Sequence, residues 1–286
     1  MVSNTFQTHI MLTEIETALS SNQPYFGRAV RGIQSGPLRY AILRSLMKGV
    51  INQEYTNSIN VLEVGSWIGA SALTFARSIQ DFNGGDGLVT CVDKWEPYID
   101  TSIDNGSTAQ IMSLAIELNI AYGLFQHNCK CCNIEHLVEV KRGTSQDILP
   151  KLIEDKKFDV IYIDGDHRYE AVVGDILMAK KLLASGGILC GDDLEKQVHE
   201  VDLNILQKGV EEGRDTIELG EKDGIFHPGV TLAVHEAIGE VSSYAGLWFM
   251  GNQEDGLVRL QEIEIDQNIP KELLKFCPPD YFLNQN

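Results

Sequence analysis

Two apolar runs in this chain end in acids: Val160-Ile-Tyr-Ile-Asp-Gly-Asp-His167 and Ile188-Leu-Cys-Gly-Asp-Asp193. If both are neighbouring parallel strands, Asp164, Asp192 and Asp193 meet in the crevice beyond their C-terminal ends. Carboxylates gathered there repel one another unless protons or a cation neutralise them, and all-oxygen ligation suits Mg²⁺ or Mn²⁺. A hydroxyl on such a cation loses its proton more readily. His167, with an ordinary pKa of about 6.5, is placed to take that proton near neutral pH, with Asp166 as the alternative base or a supporting group. The plainer reading is that an Asp-Asp pair after a strand is a turn and a lone loop histidine is structural. Matching acids at two strand ends favour the chemical reading.

A second constellation is Val61-Leu-Glu-Val-Gly-Ser-Trp-Ile-Gly-Ala-Ser71, a strand entering a Gly-containing turn and then a helix. Such a turn lets a ligand approach backbone amides at a helix N-terminus. A third glycine in the dinucleotide spacing is missing after Gly65 and Gly69, which disfavours a nicotinamide or flavin ligand. Glu63 would repel a pyrophosphate but accept a hydrogen bond from an ammonium group, so the turn suits a phosphate-free cation. One strand later Asp93 stands where an acid can bind both ribose hydroxyls. A plain strand-turn-helix connection with a solvated Asp is the alternative.

These residues need a sheet to hold them, and the pattern supplies one. Short apolar runs at 60–64, 88–92, 137–140, 160–163 and 187–190 alternate with amphipathic stretches at about 69–80, 107–132, 145–155 and 169–184. That alternation predicts an α/β fold, a mostly parallel sheet with helices on both faces. Residues 6–50 read as helical, broken by a Gly- and Pro-containing loop at 31–37. Residues 195–228 are polar and Gly-dotted, as expected of a lid or insertion; a helix from Pro228 to Glu240 and strands at 244–250 and 257–261 follow. The expected organisation is an N-terminal helical cap at 1–55, one catalytic domain at 56–265 and a tail at 266–286.

In this order of motifs the chain resembles the class I S-adenosylmethionine-dependent methyltransferases over roughly residues 30–262. The resemblance implies a Rossmann-like fold with a seven-stranded sheet. Glu63, Gly65, Ser66, Gly69 and Ser71 would then surround the methionine part of the cofactor, Asp93 its ribose, and Ser145 and Gln146 the adenine edge, with Trp95 flanking the adenine. Packing is an equal explanation for Trp67 and Trp95, and helix capping for Thr144 or Ser145. The segment from Asp164 to Asp175, with Leu182-Leu-Ala-Ser-Gly-Gly187, is similar to the metal-dependent O-methyltransferases of sugar and antibiotic tailoring and to the cephalosporin-hydroxylase-like family. That branch implies Mg²⁺ on Asp164, Asp192 and Asp193, with Asp164 facing the cofactor as well, and His167 or Asp166 as base. The expected reaction is methyl transfer to a hydroxyl of a small molecule such as a sugar or natural-product intermediate. An N-methyltransferase and a non-catalytic protein that binds the cofactor are the rivals.

Composition narrows the partners. Against 23 Lys and Arg stand 41 Asp and Glu, a net charge of −18 without a basic cluster, which argues against a nucleic-acid partner. No run approaches the roughly 20 apolar residues of a membrane span, and the start lacks a signal-peptide pattern, so a cytoplasmic protein is expected. Six cysteines are expected to be reduced. Cys129-Lys-Cys-Cys132 with His136 lacks the paired Cys-x-x-Cys knuckles of a zinc site. His227 and His235 flank the start of the late helix as capping or exposed residues, with His227 near enough to the lid to reach an acceptor. The helical segment before Asn60 offers a contact between copies of the chain.

Overall fold

The computed structural model describes residues 2–33, 36–51, 57–97, 100–103, 106–153, 156–220, 224–260 and 263–277, with side chains from residue 12 onward. Helices α1 (Val2–Ser21) and α2 (Pro37–Ile51) lead into β1 (Ile59–Val64), α3 (Ala70–Asn83), β2 (Gly87–Asp93), α4 (Ser107–Glu117), α5 (Ile120–Cys131) and β3 (Val138–Arg142). Then come α6 (Ser145–Leu152), β4 (Phe158–Ile163), α7 (Tyr169–Leu182) and β5 (Leu183–Gly191). The rest comprises α8 (Leu203–Glu211), β6 (Ile217–Gly220), β7 (Gly224–Phe226), α9 (Pro228–Ala237), β8 (Ser242–Tyr244), β9 (Leu247–Gln253), β10 (Gly256–Arg259) and α10 (Lys271–Leu274).

The central strands are continuous apolar runs because helices cover both of their faces. Strand alternation divides them: Val61, Val160, Tyr162, Ile188 and Cys190 join the core under α2, α3 and α5, whereas Leu62, Val64, Ile161, Ile163 and Leu189 join the one under α6, α7 and α9. The sheet order is β10-β9-β5-β4-β1-β2-β3, with β8 also paired to β9. Strands β1 to β5 are parallel, and β9 runs antiparallel to β5. The expected mostly parallel seven-position sheet is therefore present. Its outermost position is shared, since β8 pairs with residues 247–249 of β9 and β10 with residues 250–253. The chain leaves β1 toward β2 and β3, then returns on the other side of β1 as β4. The gap between β1 and β4 is thus the topological switch point, where a ligand crevice opens.

The stretch expected as one helix at 107–132 is two. Asn119 adopts a left-handed φ of 55° between α4 and α5, a conformation that Asn tolerates better than most residues. Residues 195–220 and 224–228 carry more regular structure than their composition suggests. Asp202 caps α8 by accepting from the amides of Asn204 and Ile205, and β6 and β7 form a separate two-stranded sheet. Only Leu206 and Gly209 of α8 are buried. In the segment expected as a tail, Ile269 and Leu273 are buried against the core. Among the described residues, no helix is long and apolar enough to cross a membrane.

Candidate active site

Where β1 ends, Gly65 and Gly69 take φ values of 86° and 88°. A Cβ at Gly65 would overlap the backbone of Asp164, so glycine is what lets the exits of β1 and β4 pass so closely. Gly69 caps α3 with no side-chain hydrogen bond. The helix's opening amides thus have no side-chain acceptor at the cap, and Ala70 and Ser71 line the cleft above the turn.

Asp93 ties the neighbouring strand to this loop. Its Oδ2 accepts from the amides of Ser66 and Trp67, both at 3.0 Å, and its Oδ1 from the amide of Trp95 at 2.7 Å. A carboxylate offers about four lone-pair sites, so Oδ1 has room for one further donor, whereas the sequence suggested two ribose contacts. Burial raises the Asp93 pKa, opposed by these three amides.

Glu63 differs more from expectation. Alternation along β1 turns it toward α3 and away from the cleft. It is fully buried and absent from the cleft wall. Its Oε2 accepts from the Ser66 hydroxyl at 2.6 Å and the Cys91 thiol at 3.3 Å. Burial pushes it up to about 7 despite those donors. Glu63 therefore supports Ser66 from beneath and does not reach a ligand directly. Trp95 borders the cleft, but its ring packs on Tyr122 and Phe125 at centroid distances of 4.7 and 5.1 Å, and its Nε1 donates to the Trp67 carbonyl. At the far wall Thr144 caps α6 through the Asp147 amide, and Ser145 and Gln146 line the cleft.

The exits of β4 and β5 bring Asp164, Asp192 and Asp193 together, and α2 inserts a cation between them. The Arg39 guanidinium is 8% exposed. It pairs with Asp192, lies 3.4 Å from Asp164 and reaches Asp193 at 4.0 Å. Asp164 also accepts from the Tyr162 hydroxyl at 3.0 Å. Burial pushes Asp164 up to about 6 against the pull of Arg39, and raises Asp192 well above its ordinary value. Against burial, His227 and His167 hold Asp193 far below the usual carboxylate range.

His167 bridges two carboxylates, Nε2 to Asp193 at 3.0 Å and Nδ1 to Asp215 at 2.9 Å. His227 packs edge-on against it with centroids 4.7 Å apart, and pairs with Glu195 at 3.1 Å. With an acid on each nitrogen, the imidazolium form of His167 is favoured although burial opposes it. Asp166 also lines the cleft but is engaged by Arg168, through its Nε at 2.8 Å and its guanidinium Nη2.

The donor set fits a divalent cation. Ligand atoms of Asp164, His167 and Asp193 lie within 4.8 Å of one another, and the acids of the cluster, counting Asp215, outnumber its cations even with both histidines protonated. Asp192, expected as the third ligand, belongs to no such group among the described residues because Arg39 takes its carboxylate. None of these groups contains a cysteine, and all six cysteines are free thiols. Beside the cluster lies a second cavity of about 990 Å³, walled by the 195–228 segment, Arg31 and α4. His167, Asp193 and Met112 border both cavities.

Residues 62–194 match the family described as a methyltransferase domain. Over those residues the chain is similar to a methyltransferase domain. The match takes in the Gly65 turn, Asp93, Ser145, Asp164, Asp192 and Asp193, but neither Glu195 nor Asp215. Among solved structures, the O-methyltransferase NovP is similar over 76% of this chain and 80% of its own, with 14% identity and a TM-score of 0.51. CalS11, a calicheamicin methyltransferase, covers 87% and 92% at 14% identity and a TM-score of 0.49. An O-methyltransferase from Bacillus cereus in complex with SAH covers 86% and 86% at 16% and 0.45. At these identities the likeness is one of fold. A search of curated protein sequences finds no match.

Three residues of the candidate site were missed by motif reading. Arg39 and Asp175, an acid of α7 in the cleft wall, each carried a signal. Arg39 stands in one helical stripe with buried Leu43, Leu46 and Val50, and Asp175 with buried Val172, Ile176 and Ala179. A charge in such a stripe must be buried and therefore needs a partner. Asp215 carried none, because it arrives from an irregular connection.

Proposed function

We propose that the chain transfers a methyl group from S-adenosylmethionine to a hydroxyl oxygen of a small molecule, with a divalent cation at the acid cluster. The observation that carries this is the shared wall: the cleft over the Gly65 turn and the 990 Å³ cavity meet at His167 and Asp193. When bound, the cofactor supplies a sulfonium-activated methyl group, and the cation lowers the pKa of an acceptor hydroxyl while drawing on the charge of Asp193. The chain's residues do the rest. The N-terminus of α3 favours the cofactor's carboxylate, Asp93 accepts from a ribose hydroxyl, and Ser145 and Gln146 meet the purine edge. Asp164 and Asp193 would hold the cation, with His167 beside it. Asp215 keeps Nδ1 of His167 occupied, so that Nε2 is the nitrogen that can take a proton once Asp193 no longer claims it. The 195–228 segment shields the junction from water. NovP, whose fold this chain shares, is an O-methyltransferase.

A second reading rests on Arg39. Its guanidinium already neutralises part of the cluster, and a reaction that relies on it would need no metal. Labelled S-adenosylmethionine with a panel of hydroxylated and amine acceptors, sugars first, tests both. Product formation that needs Mg²⁺ and is lost in Asp193→Asn supports the first reading. Full activity in chelator supports the second, and no cofactor binding by calorimetry would remove both.

A further inference from the structure

Asp175 stands in the second turn of α7 and is 2% exposed. What it exposes lies in the wall of the cleft, which Ser145 also lines, and the Ser145 hydroxyl favours its charged form against burial. Among the described residues it has no cationic partner, and the nearest charge acting on it, Asp166, is of like sign. Burial pushes its carboxyl up to about 7. A carboxyl so buried, with a neighbouring hydroxyl as its main polar support, costs stability. An apolar or amide side chain would fill the same space more cheaply, so packing does not account for it.

The polar groups at this end of the cleft differ in what they can distinguish. The Ser145 hydroxyl and the Gln146 amide can each donate or accept. The Thr144 hydroxyl is engaged with Asp147 on both counts, and Asp166 is held by Arg168. An ionised Asp175 only accepts. It is therefore the group here that can tell an N–H on a ligand from a carbonyl in the same place.

Resting on the cofactor reading above, we propose that Asp175 accepts a hydrogen bond from the exocyclic amine of the cofactor's purine, selecting an adenosyl over an inosyl ligand. Discrimination of this kind is strong because the wrong ligand sets a carbonyl against a buried acceptor and leaves both unpaired.

Calorimetry on the full chain at pH 8.5, where Asp175 is ionised, tests it with S-adenosylhomocysteine and S-inosylhomocysteine. The wild type should bind the adenosyl probe at least about tenfold more tightly. In Asp175→Asn, whose amide can turn either its oxygen or its nitrogen to the ligand, that ratio should fall to within about threefold. Equal affinities in the wild type overturn the proposal without recourse to the variant. A variant that weakens both probes equally also overturns it, by showing a packing role. If the wild type binds neither probe, the cofactor reading itself falls, an outcome distinct from adenosyl binding without discrimination.

Discussion

Arg39→Met separates the two cations that can serve the acid cluster. Methionine approximates the volume of the arginine stem but removes the guanidinium that Asp164, Asp192 and Asp193 surround. At an effective dielectric of about 20, a unit pair at the 3.4 Å separation of Arg39 and Asp164 is worth about 5 kcal/mol before desolvation. Removing one member of a buried pair leaves the other uncompensated, a net loss of about 3–5 kcal/mol. For a chain of this size that lowers Tm by about 5–8 °C.

The loss should depend on pH and on metal. Asp164 already has its pKa raised to about 6, and without Arg39 it rises further. A carboxylate raised in the folded state takes up a proton on folding, so its stability contribution falls as pH rises from the unfolded value through the folded one. The deficit of the variant should therefore be smaller at pH 5 than at pH 8. Added Mg²⁺ at about 100 times its Kd would return about 2.7 kcal/mol at pH 8, and should shift the variant more than the wild type, where Arg39 competes for the same oxygens. Thermal melts at both pH values, with chelator and with Mg²⁺, are the assay. A variant melting within about 2 °C of wild type at pH 8 would refute the electrostatic reasoning. A full deficit insensitive to Mg²⁺ would refute the cation site.

Glu63→Gln should flatten the pH dependence of stability. Glu63 rises from 4.5 unfolded to about 7 folded, so on the order of 3 kcal/mol is lost between those pH values in the wild type and not in the variant, as urea unfolding at pH 5 and pH 8 would show. Gly65→Ala meets a positive φ and the Asp164 backbone together, and should cost at least about 2 kcal/mol and abolish cofactor-probe binding by calorimetry. Gly69→Ala should be milder, because its Cβ meets only the Phe125 ring, at 3.1 Å. Asp215→Asn keeps the shape beside His167 and removes the charge. It should lower kcat on the order of 10–100-fold with the affinity for S-adenosylhomocysteine unchanged; an equal fall in that affinity would mean the residue supports the fold instead.

The layout of the sheet was legible because strand and helix periods differ and because β1, β2, β4 and β5 end in residues whose chemistry is plain. Motif reading placed Gly65, Asp93, Asp164, Asp192 and Asp193 at the correct strand ends, since alternation and the parallel order fix where a strand's last residue points. It failed where a role depends on what another element brings. Asp192 reads as a metal ligand until α2 supplies Arg39, and Glu63 reads as a ligand contact until its parity along β1 turns it toward α3. His167 reads as a free base until Asp215 and Asp193 occupy both nitrogens. The common cause is that burying a charge is costly, so Asp192, Asp193 and His167 are matched by partners that other elements bring. The useful sequence signal is thus the misplaced charge itself. Arg39 and Asp175 break apolar helical stripes, and both line the cleft over the Gly65 turn.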